Sequence, residues 1–324
     1  MEQVRTSMIS NPDIWQLKAA VFCRNQSLEL IESPIGPIDS TQVLVEVSDV
    51  GLCRTDLYAI DGKIPVYDPF FVPGHEFSGK VVAIGSAVSP KWIGRMVAVN
   101  PVVPCWHCED CENQTSHLCC DTKMMGIDVE GACRQVVSVD VRQVYAVGNL
   151  DPKEAVFAEP VAATLGIVNA NIETDQQGLI LGQGRIAELA RRVLSAKGFA
   201  NLSVLNAIEA KRIAASSFDF VVETGVDTSL FCEMVRLAKP RGVLVLKSRQ
   251  VTPFEVTIRD LVNKQPVIDV VNYGCFEEAV RLLVSREVEV NDLIGPTFAF
   301  REVEEAVARA NNDEASKIFL NGWG

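Results

Sequence analysis

The sequence predicts a two-domain α/β protein, with a compact β-rich domain followed by a doubly wound parallel sheet. Three observations carry this. The chain has 324 residues, too many for one ordinary core and enough for two. Its first half consists of short β-branched runs broken by Gly and Pro. Its second half alternates short apolar runs with stretches of helical spacing, and alternating βα units imply parallel strands.

The elements follow in order. The first sixteen residues carry no motif and are expected to be a disordered extension. They have no basic stretch leading into an apolar run, so no secretory signal is expected. From residue 17 to about 150, QVLVEVSDVG and GKVVAIG alternate or run apolar as strands do. From about residue 151 to 292, GLILGQG is a strand ending in glycines, and RIAELARRVLSAKG is a helix. Ile186, Leu189, Ala190, Val193 and Leu194 fall on one face of it, and Gly198 stops it. NLSVLN, FDFVVE, GVLVLK and PVIDVV read as further strands, with a helix near residues 230–237.

Only residues 207–217 separate NLSVLN from FDFVVE. A crossover takes at least ~10–12 residues, so one helix fits there and an added strand with its return does not. The usual outer strand is therefore expected to be missing, leaving a sheet of about five strands. Residues 293–324 hold one helix, FREVEEAVARANN, and one strand, SKIFL, expected to return to the β domain. The expected divisions are residues 1–158, 159–292 and 293–324.

Net charge is −12. Phosphate backbones and anionic membrane surfaces are repelled by that average field, so neither nucleic acid nor membrane is an expected partner. No stretch reaches ~18 uninterrupted apolar residues, so no membrane span is expected. The expected compartment is the reducing cytoplasm, where close-set cysteines read as metal ligands before disulfides.

PCWHCEDCENQTSHLC places Cys105, Cys108, Cys111 and Cys119 in a C-x2-C-x2-C-x7-C pattern. Such spacing lets thiolates converge on one ion, and four sulfurs suit tetrahedral zinc. A closed sphere leaves no open position, so this is a structural zinc, in a lobe spanning about residues 100–122. The competing readings are an iron–sulfur centre and loose thiols. His107 and His117 are expected as exposed loop residues. Cys23, Cys120, Cys133, Cys232 and Cys275 are expected as small apolar fillers.

A second set is scattered. GLCRTDLYAIDGK holds Cys53, FVPGHEFSGKVVAIG holds His75 and Glu76, and AVFAEPVAATLGIV holds Glu159. One sulfur, one imidazole and one carboxylate form the mixed three-ligand set that catalytic zinc uses. Spacing alone also fits ordinary core residues.

Taken together, GLCRTD, PGHEFSGKVVAIG, the four-cysteine pattern, AEPVA and a strand–GxGxx–helix unit resemble the zinc-containing medium-chain dehydrogenase/reductase superfamily. The AEPVA form is closest to its polyol and threonine dehydrogenase side. The resemblance covers nearly the whole chain from about residue 17. It implies a GroES-like catalytic domain beside a Rossmann domain, with the active site in the cleft. It makes Cys53, His75 and Glu159 catalytic zinc ligands, and Glu76 the neighbouring acid that can approach the metal. Asp56 matches the carboxylate that orients the histidine. Thr55 matches the hydroxyl that relays the alcohol's proton. Many relatives have a histidine three residues beyond that hydroxyl, where this chain has Tyr58. A phenol is a poorer base than an imidazole, so Tyr58 is either a relay member or a pocket wall.

On the nucleotide side, Gly182-x-Gly184-x-x-Ala187 follows a strand and opens a helix, as a dinucleotide fingerprint does. The helix N-terminus, with Arg185 and Ile186, supplies donors for the phosphates. Asn206 ends the second strand, where an acid usually binds the adenosine ribose of NAD. Lys211 and Arg212 either assist NADP or are solvated helix residues, so NAD and NADP stay open. Lys247 and Ser248 end a strand on the side where ligands bind and are further candidates. The reading is a dehydrogenase with two zinc ions and NAD or NADP, acting on a secondary alcohol or polyol, or on its ketone. It is expected to form a homodimer or homotetramer. The alternative is a non-catalytic paralogue that keeps the metals as staples and binds a partner or small molecule.

Overall fold

The computed structural model describes residues 18–33, 35–113 and 115–323. The extension expected over the first sixteen residues lies outside them. The chain divides into two compact units. The first runs to Phe157 and takes in Ile294–Asn312 and the residues from Ile318 on; the second holds Ala158–Leu293 and Asp313–Lys317.

The first unit opens with a hairpin of β1 (Lys18–Arg24) and β2 (Ser27–Ser33). Asn25 and Gln26 form its two-residue turn, both with positive φ, as a hairpin turn matching strand twist requires. Then come β3 (Gln42–Gly51), α1 (Arg54–Ile60), β4 (Phe70–Phe71), β5 (Glu76–Ile84), β6 (Met96–Val99) and β7 (Val102–Val103). After these follow α2 (Glu109–Glu112), β8 (Lys123–Met124), β9 (Val136–Asp140), β10 (Val144–Ala146) and α3 (Pro152–Val156). In the main sheet β10, β6, β5 and β3 lie side by side, and β9 also pairs with β3. The long β3–β5 pairing is antiparallel with two register shifts, which bend the sheet around its core. Val45, Val50, Phe77, Val81 and Val97 are buried in that core. Each such side chain contributes roughly 1.5–3 kcal/mol by leaving water.

The second unit begins with α4 (Ala158–Leu165), buried along its whole length. Its sheet is built from β11 (Gly178–Leu181), α5 (Arg185–Ala196), β12 (Leu202–Leu205), α6 (Ala207–Ala210), β13 (Phe218–Glu223) and α7 (Thr228–Leu237). These continue into β14 (Ala238–Leu246), α8 (Ile258–Val262), β15 (Val267–Val270) and α9 (Phe276–Val284). The five strands are parallel, in the order β12-β11-β13-β14-β15. Only the four-residue α6 links β12 to β13, so the outer strand is absent, as the spacing required. On α5 the buried stripe is Ala187, Leu189, Ala190, Val193 and Leu194, while Ile186 is half-buried. The opposite face carries Glu188 bridged to Arg191 and Arg192.

Two expectations need correction. The C-terminal stretch holds two strands, not one: β16 (Ile294–Phe298), α10 (Val303–Asn312) and β17 (Lys317–Leu320). IGPTF carries Gly and Pro, which demote a strand reading, and the segment forms an edge of the sheet beside β17. β17 pairs antiparallel with β3, Phe319 opposite Gly51 and Leu320 opposite Val50. Among the cysteines read as fillers, Cys23 and Cys133 are buried, but Cys120, Cys232 and Cys275 are exposed. Cys232 faces away from the buried side of α7 (Phe231, Met234, Val235), and Cys275 caps the start of α9. Among the described residues no helix is long and apolar enough to cross a membrane.

Candidate metal centres and nucleotide site

In the first unit, Cys53, His75 and Glu76 come together, their ligand atoms all within 4.8 Å of one another. Cys53 sits at the N-cap of α1 and Glu76 begins β5. Between them, Gly74 lets the chain turn: its φ is +99°, and a Cβ there would lie 2.9 Å from Cys133 Sγ. Only glycine accepts both conditions, and the turn puts His75 into the interior.

Asp56 organises this corner and is fully buried. One carboxylate oxygen accepts the Cys53 N–H at 2.9 Å, fixing the start of α1. The other accepts the Gly74 N–H at 3.1 Å and pairs with His75 Nδ1 at 2.9 Å. Burial disfavours a charged imidazole, but the Asp56 carboxylate and the Cys53 sulfur outweigh it and hold His75 well above its ordinary value. With Nδ1 paired to Asp56, Nε2 is the ring nitrogen left facing the cluster, carrying a proton that a bound metal would displace. That Nε2 is buried and has no hydrogen-bond partner. An orphaned imidazole nitrogen beside a thiol and a carboxylate is the donor set a zinc ion fits.

Thr55 shares the first turn of α1 with Asp56 and is half-buried. Tyr58 is half-buried one turn on, with Lys63 Nζ 5.8 Å from its ring centre.

Glu159 belongs to the second unit, in the first turn of α4, and is 4% exposed. Its Oε1 accepts the hydroxyl hydrogen of Tyr273, which is equally buried. Burial and the adjacent Glu159 charge push the Tyr273 phenol well up, against the pull of Arg249, so it stays a donor. The guanidinium carbon of Arg249 lies 4.8 Å from the centre of the Tyr273 ring.

Cys105, Cys108, Cys111 and Cys119 also converge, again with all sulfurs within 4.8 Å. Cys108 Sγ is 3.5 Å and Cys105 Sγ 3.9 Å from Cys111 Sγ. Trp106 adopts a positive φ of 67°, rare for a bulky residue, which folds the first C-x-x-C into a knuckle. Arg142 stacks 4.2 Å from the centre of its ring and is itself held by Asp140. The Cys111 backbone N–H draws the Cys108 thiol down to about 6, the thiolate form metals bind. His107 is exposed and hydrogen-bonded to the Cys105 carbonyl, whereas His117 is half-buried on a short turn.

At the nucleotide site, Gly182 and Gly184 form the turn between β11 and α5. The chain itself lies against this turn. The Arg185 N–H donates to the Glu314 carbonyl at 2.9 Å, and its guanidinium reaches the carbonyls of Asp313 and Ser316. A Cβ on Gly184 would come 2.6 Å from that Glu314 oxygen. Arg185 thus spends these donors on residues 313–316. Asn206 caps α6, its side-chain oxygen accepting the N–H groups of Ile208 and Glu209. The backbone N–H groups of Lys247 and Ser248 both donate to Glu223 Oε1, at 2.7 and 2.8 Å. Glu223 is fully buried at the carboxyl end of β13, and its Oε2 has no partner.

Residues 39–149 match the family model described as the alcohol dehydrogenase GroES-like domain. Over those residues the first unit resembles that domain family. A D-altritol 5-dehydrogenase of Agrobacterium fabrum is 29% identical over 223 residues, covering 66% of this chain and 64% of the relative. A sorbitol dehydrogenase of Bacillus subtilis is 30% identical over 207 residues, covering 62% of this chain and 58% of the relative. These matches span less than two thirds of either relative's length. An alcohol dehydrogenase structure from Escherichia coli CFT073, complexed with NADH, shares the fold at a TM-score of 0.84. It has 21% identity and covers 94% of this chain and 99% of its own. The superfamily resemblance and the paired GroES-like and Rossmann folds therefore hold.

Within the GroES-like domain, the sequence pointed to Cys53, Asp56, His75 and Glu76, and the structure gathers them. Sequence reasoning missed Glu223 and Tyr273 in the other unit. The acid ending FDFVVE was a visible signal for Glu223. A lone Tyr in VVNYG was none for Tyr273, because its partner lies 114 residues away.

Proposed function

We propose that this chain is a zinc-dependent dehydrogenase moving a hydride between a secondary alcohol or polyol, or the matching ketone, and NAD or NADP. The observation that carries the reading is the unpartnered Nε2 of His75, aimed at Cys53 and Glu76 and backed by Asp56. We assign Cys53 and His75 as ligands of a catalytic zinc, with Glu76 the acid gathered beside them; Glu159, the third ligand the resemblance implies, lies in the second unit. Cys105, Cys108, Cys111 and Cys119 are assigned a structural zinc, giving two ions per chain. When bound, the catalytic zinc supplies Lewis acidity that makes a substrate hydroxyl more acidic. The side chains do the rest. Asp56 fixes the His75 tautomer by accepting its Nδ1–H. Thr55, in the same turn, passes the hydroxyl proton outward. Tyr58, three residues further along the helix face, either takes it on or walls the pocket.

The polyol class is supported by the names of the relatives, which act on altritol and sorbitol. Gly182, Gly184 and the α5 N-terminus, including Ile186, are assigned to the dinucleotide phosphates. A homodimer is supported by β15, an edge strand on which Val267, Ile268 and Val270 are exposed. A bare apolar edge is a template for a second copy, and a homotetramer would repeat such pairing.

Cys53→Ser tests the assignment. It should leave circular dichroism unchanged, remove one of two zinc ions, and abolish turnover in a screen of alcohols and polyols with NAD and NADP. Turnover intact in Cys53→Ser would refute it. One observation favours the non-catalytic reading: residues 313–316 and α6 already use donors and acceptors at Arg185 and Asn206. Nicotinamide fluorescence decides this. No binding of NADH or NADPH at millimolar concentration would leave a binding protein of the same fold.

A further inference from the structure

The glycine turn between β11 and α5 is covered by a segment of its own unit, Asp313–Lys317. Asp313 folds that segment into a tight turn. Its Oδ1 accepts the Ala315 and Ser316 N–H groups, each at 3.0 Å, and its Oδ2 accepts the Ser316 hydroxyl at 3.0 Å. The turn sets three main-chain carbonyls around Arg185. The Glu314 carbonyl accepts the Arg185 N–H, the first amide of α5, at 2.9 Å, and those of Asp313 and Ser316 accept from Nη1. Peptide oxygens thus stand at the helix N-terminus, where phosphate oxygens bind in a dinucleotide site. The space left by Gly184, which lets a backbone approach a pyrophosphate, is filled by the Glu314 backbone. A Cβ on Gly184 would lie 2.6 Å from the Glu314 oxygen and 3.2 Å from its carbonyl carbon.

This cover is weakly held. The two guanidinium contacts, at 3.4 and 3.3 Å, are longer than ordinary N–H···O bonds. Arg185 Nε is buried and has no hydrogen-bond partner. An unsatisfied donor on a charged group disfavours the closed state that contains it. An anion in place of the carbonyls competes for the amide with full charge and offers Nε–H the acceptor it lacks. We infer that residues 313–316 are an autoinhibitory strap over the phosphate subsite of this turn, which a dinucleotide must displace in order to bind. This rests on the proposed dinucleotide reading of the turn.

The test uses the full-length protein and the variants Asp313→Ala, Asp313→Asn and Ser316→Ala. NADH and NADPH are titrated by nicotinamide fluorescence, and ADP by calorimetry. Both Asp313 variants remove the same charge, but only Asp313→Asn keeps an acceptor for the Ala315 and Ser316 N–H groups. Asp313→Ala should tighten ADP and both dinucleotides by about 5–10-fold, as expected for one or two hydrogen bonds lost from the closed form. Ser316→Ala should tighten them less, and Asp313→Asn should stay near the wild type. A second measurement needs no variant: hydrogen exchange at Ala315 and Ser316 in the wild-type protein should speed up when ADP is added. An equal gain in both Asp313 variants would reduce the effect to charge repulsion and overturn the strap. Binding with unchanged affinity in Asp313→Ala, or with unchanged exchange at Ala315 and Ser316, would also overturn it and leave the dinucleotide reading standing. If neither the wild type nor any variant binds ADP, NADH or NADPH at millimolar concentration, the dinucleotide reading and the strap fall together.

Discussion

Asp56→Asn isolates the group that links α1 to the metal corner. The native carboxylate accepts from Cys53 N, Gly74 N and His75 Nδ1. An amide of the same shape offers one oxygen and one NH2. With its oxygen toward Gly74 and His75, the NH2 faces the Cys53 N–H, donor against donor. Asp56 is the third residue of α1, and the bond lost is the one it accepts from the Cys53 N–H; leaving that donor unsatisfied costs about 1–3 kcal/mol. Losing the carboxylate behind His75 should also weaken zinc by about 10–100-fold, or about 1.4–2.7 kcal/mol. Urea unfolding of the metal-free protein reads the first effect, and chelator competition on the loaded protein reads the second. If stability falls while zinc affinity is unchanged, Asp56 is a helix cap only and its orienting role is refuted. If neither changes, the account of this corner is wrong.

Cys108→Ser should release one zinc ion and make residues near 105–119 sensitive to limited proteolysis; retention of two ions would contradict the four-sulfur site. Glu278 is held at about 2, chiefly by Arg281 and also by Lys197. Its folded value lies below the ordinary carboxylate value, so its stabilisation is present above about pH 4.3 and lost as pH falls toward 2. The pair is largely solvated, so Glu278→Gln should cost under about 1 kcal/mol at pH 7 and progressively less as pH falls through 2; a constant deficit would reject this. Val270→Lys on the exposed β15 edge should shift the protein to a smaller species in light scattering, and an unchanged mass would exclude that edge as the dimer contact.

Much of this was legible in the sequence because it is local. The four sulfurs meet because Cys105 to Cys119 is a short stretch with two tight turns, and the shortened sheet follows from counting residues 207–217. Cys53, Asp56 and His75 were legible only through their joint pattern. What stayed hidden depends on packing between distant segments. Nothing in DEASK says that Glu314 will lie against Gly184. Nothing in VVNYG says that Tyr273 will find Glu159. Cys232 looks like any small hydrophobe until the face of its helix is known, and Cys275 until the start of α9 is placed.

The pairing of β17 with β3 has a consequence for how the chain is made. The residues that complete the first sheet emerge from the ribosome after the whole of the second unit. The five-stranded sheet can therefore close while the earlier one still waits with a raw edge at Val50 and Gly51. A nascent chain stalled before Ile318 would hold its late-numbered half in order and its early half open, the reverse of the usual sequence of events. Quality-control proteases would meet the oldest part of the polypeptide as its least finished.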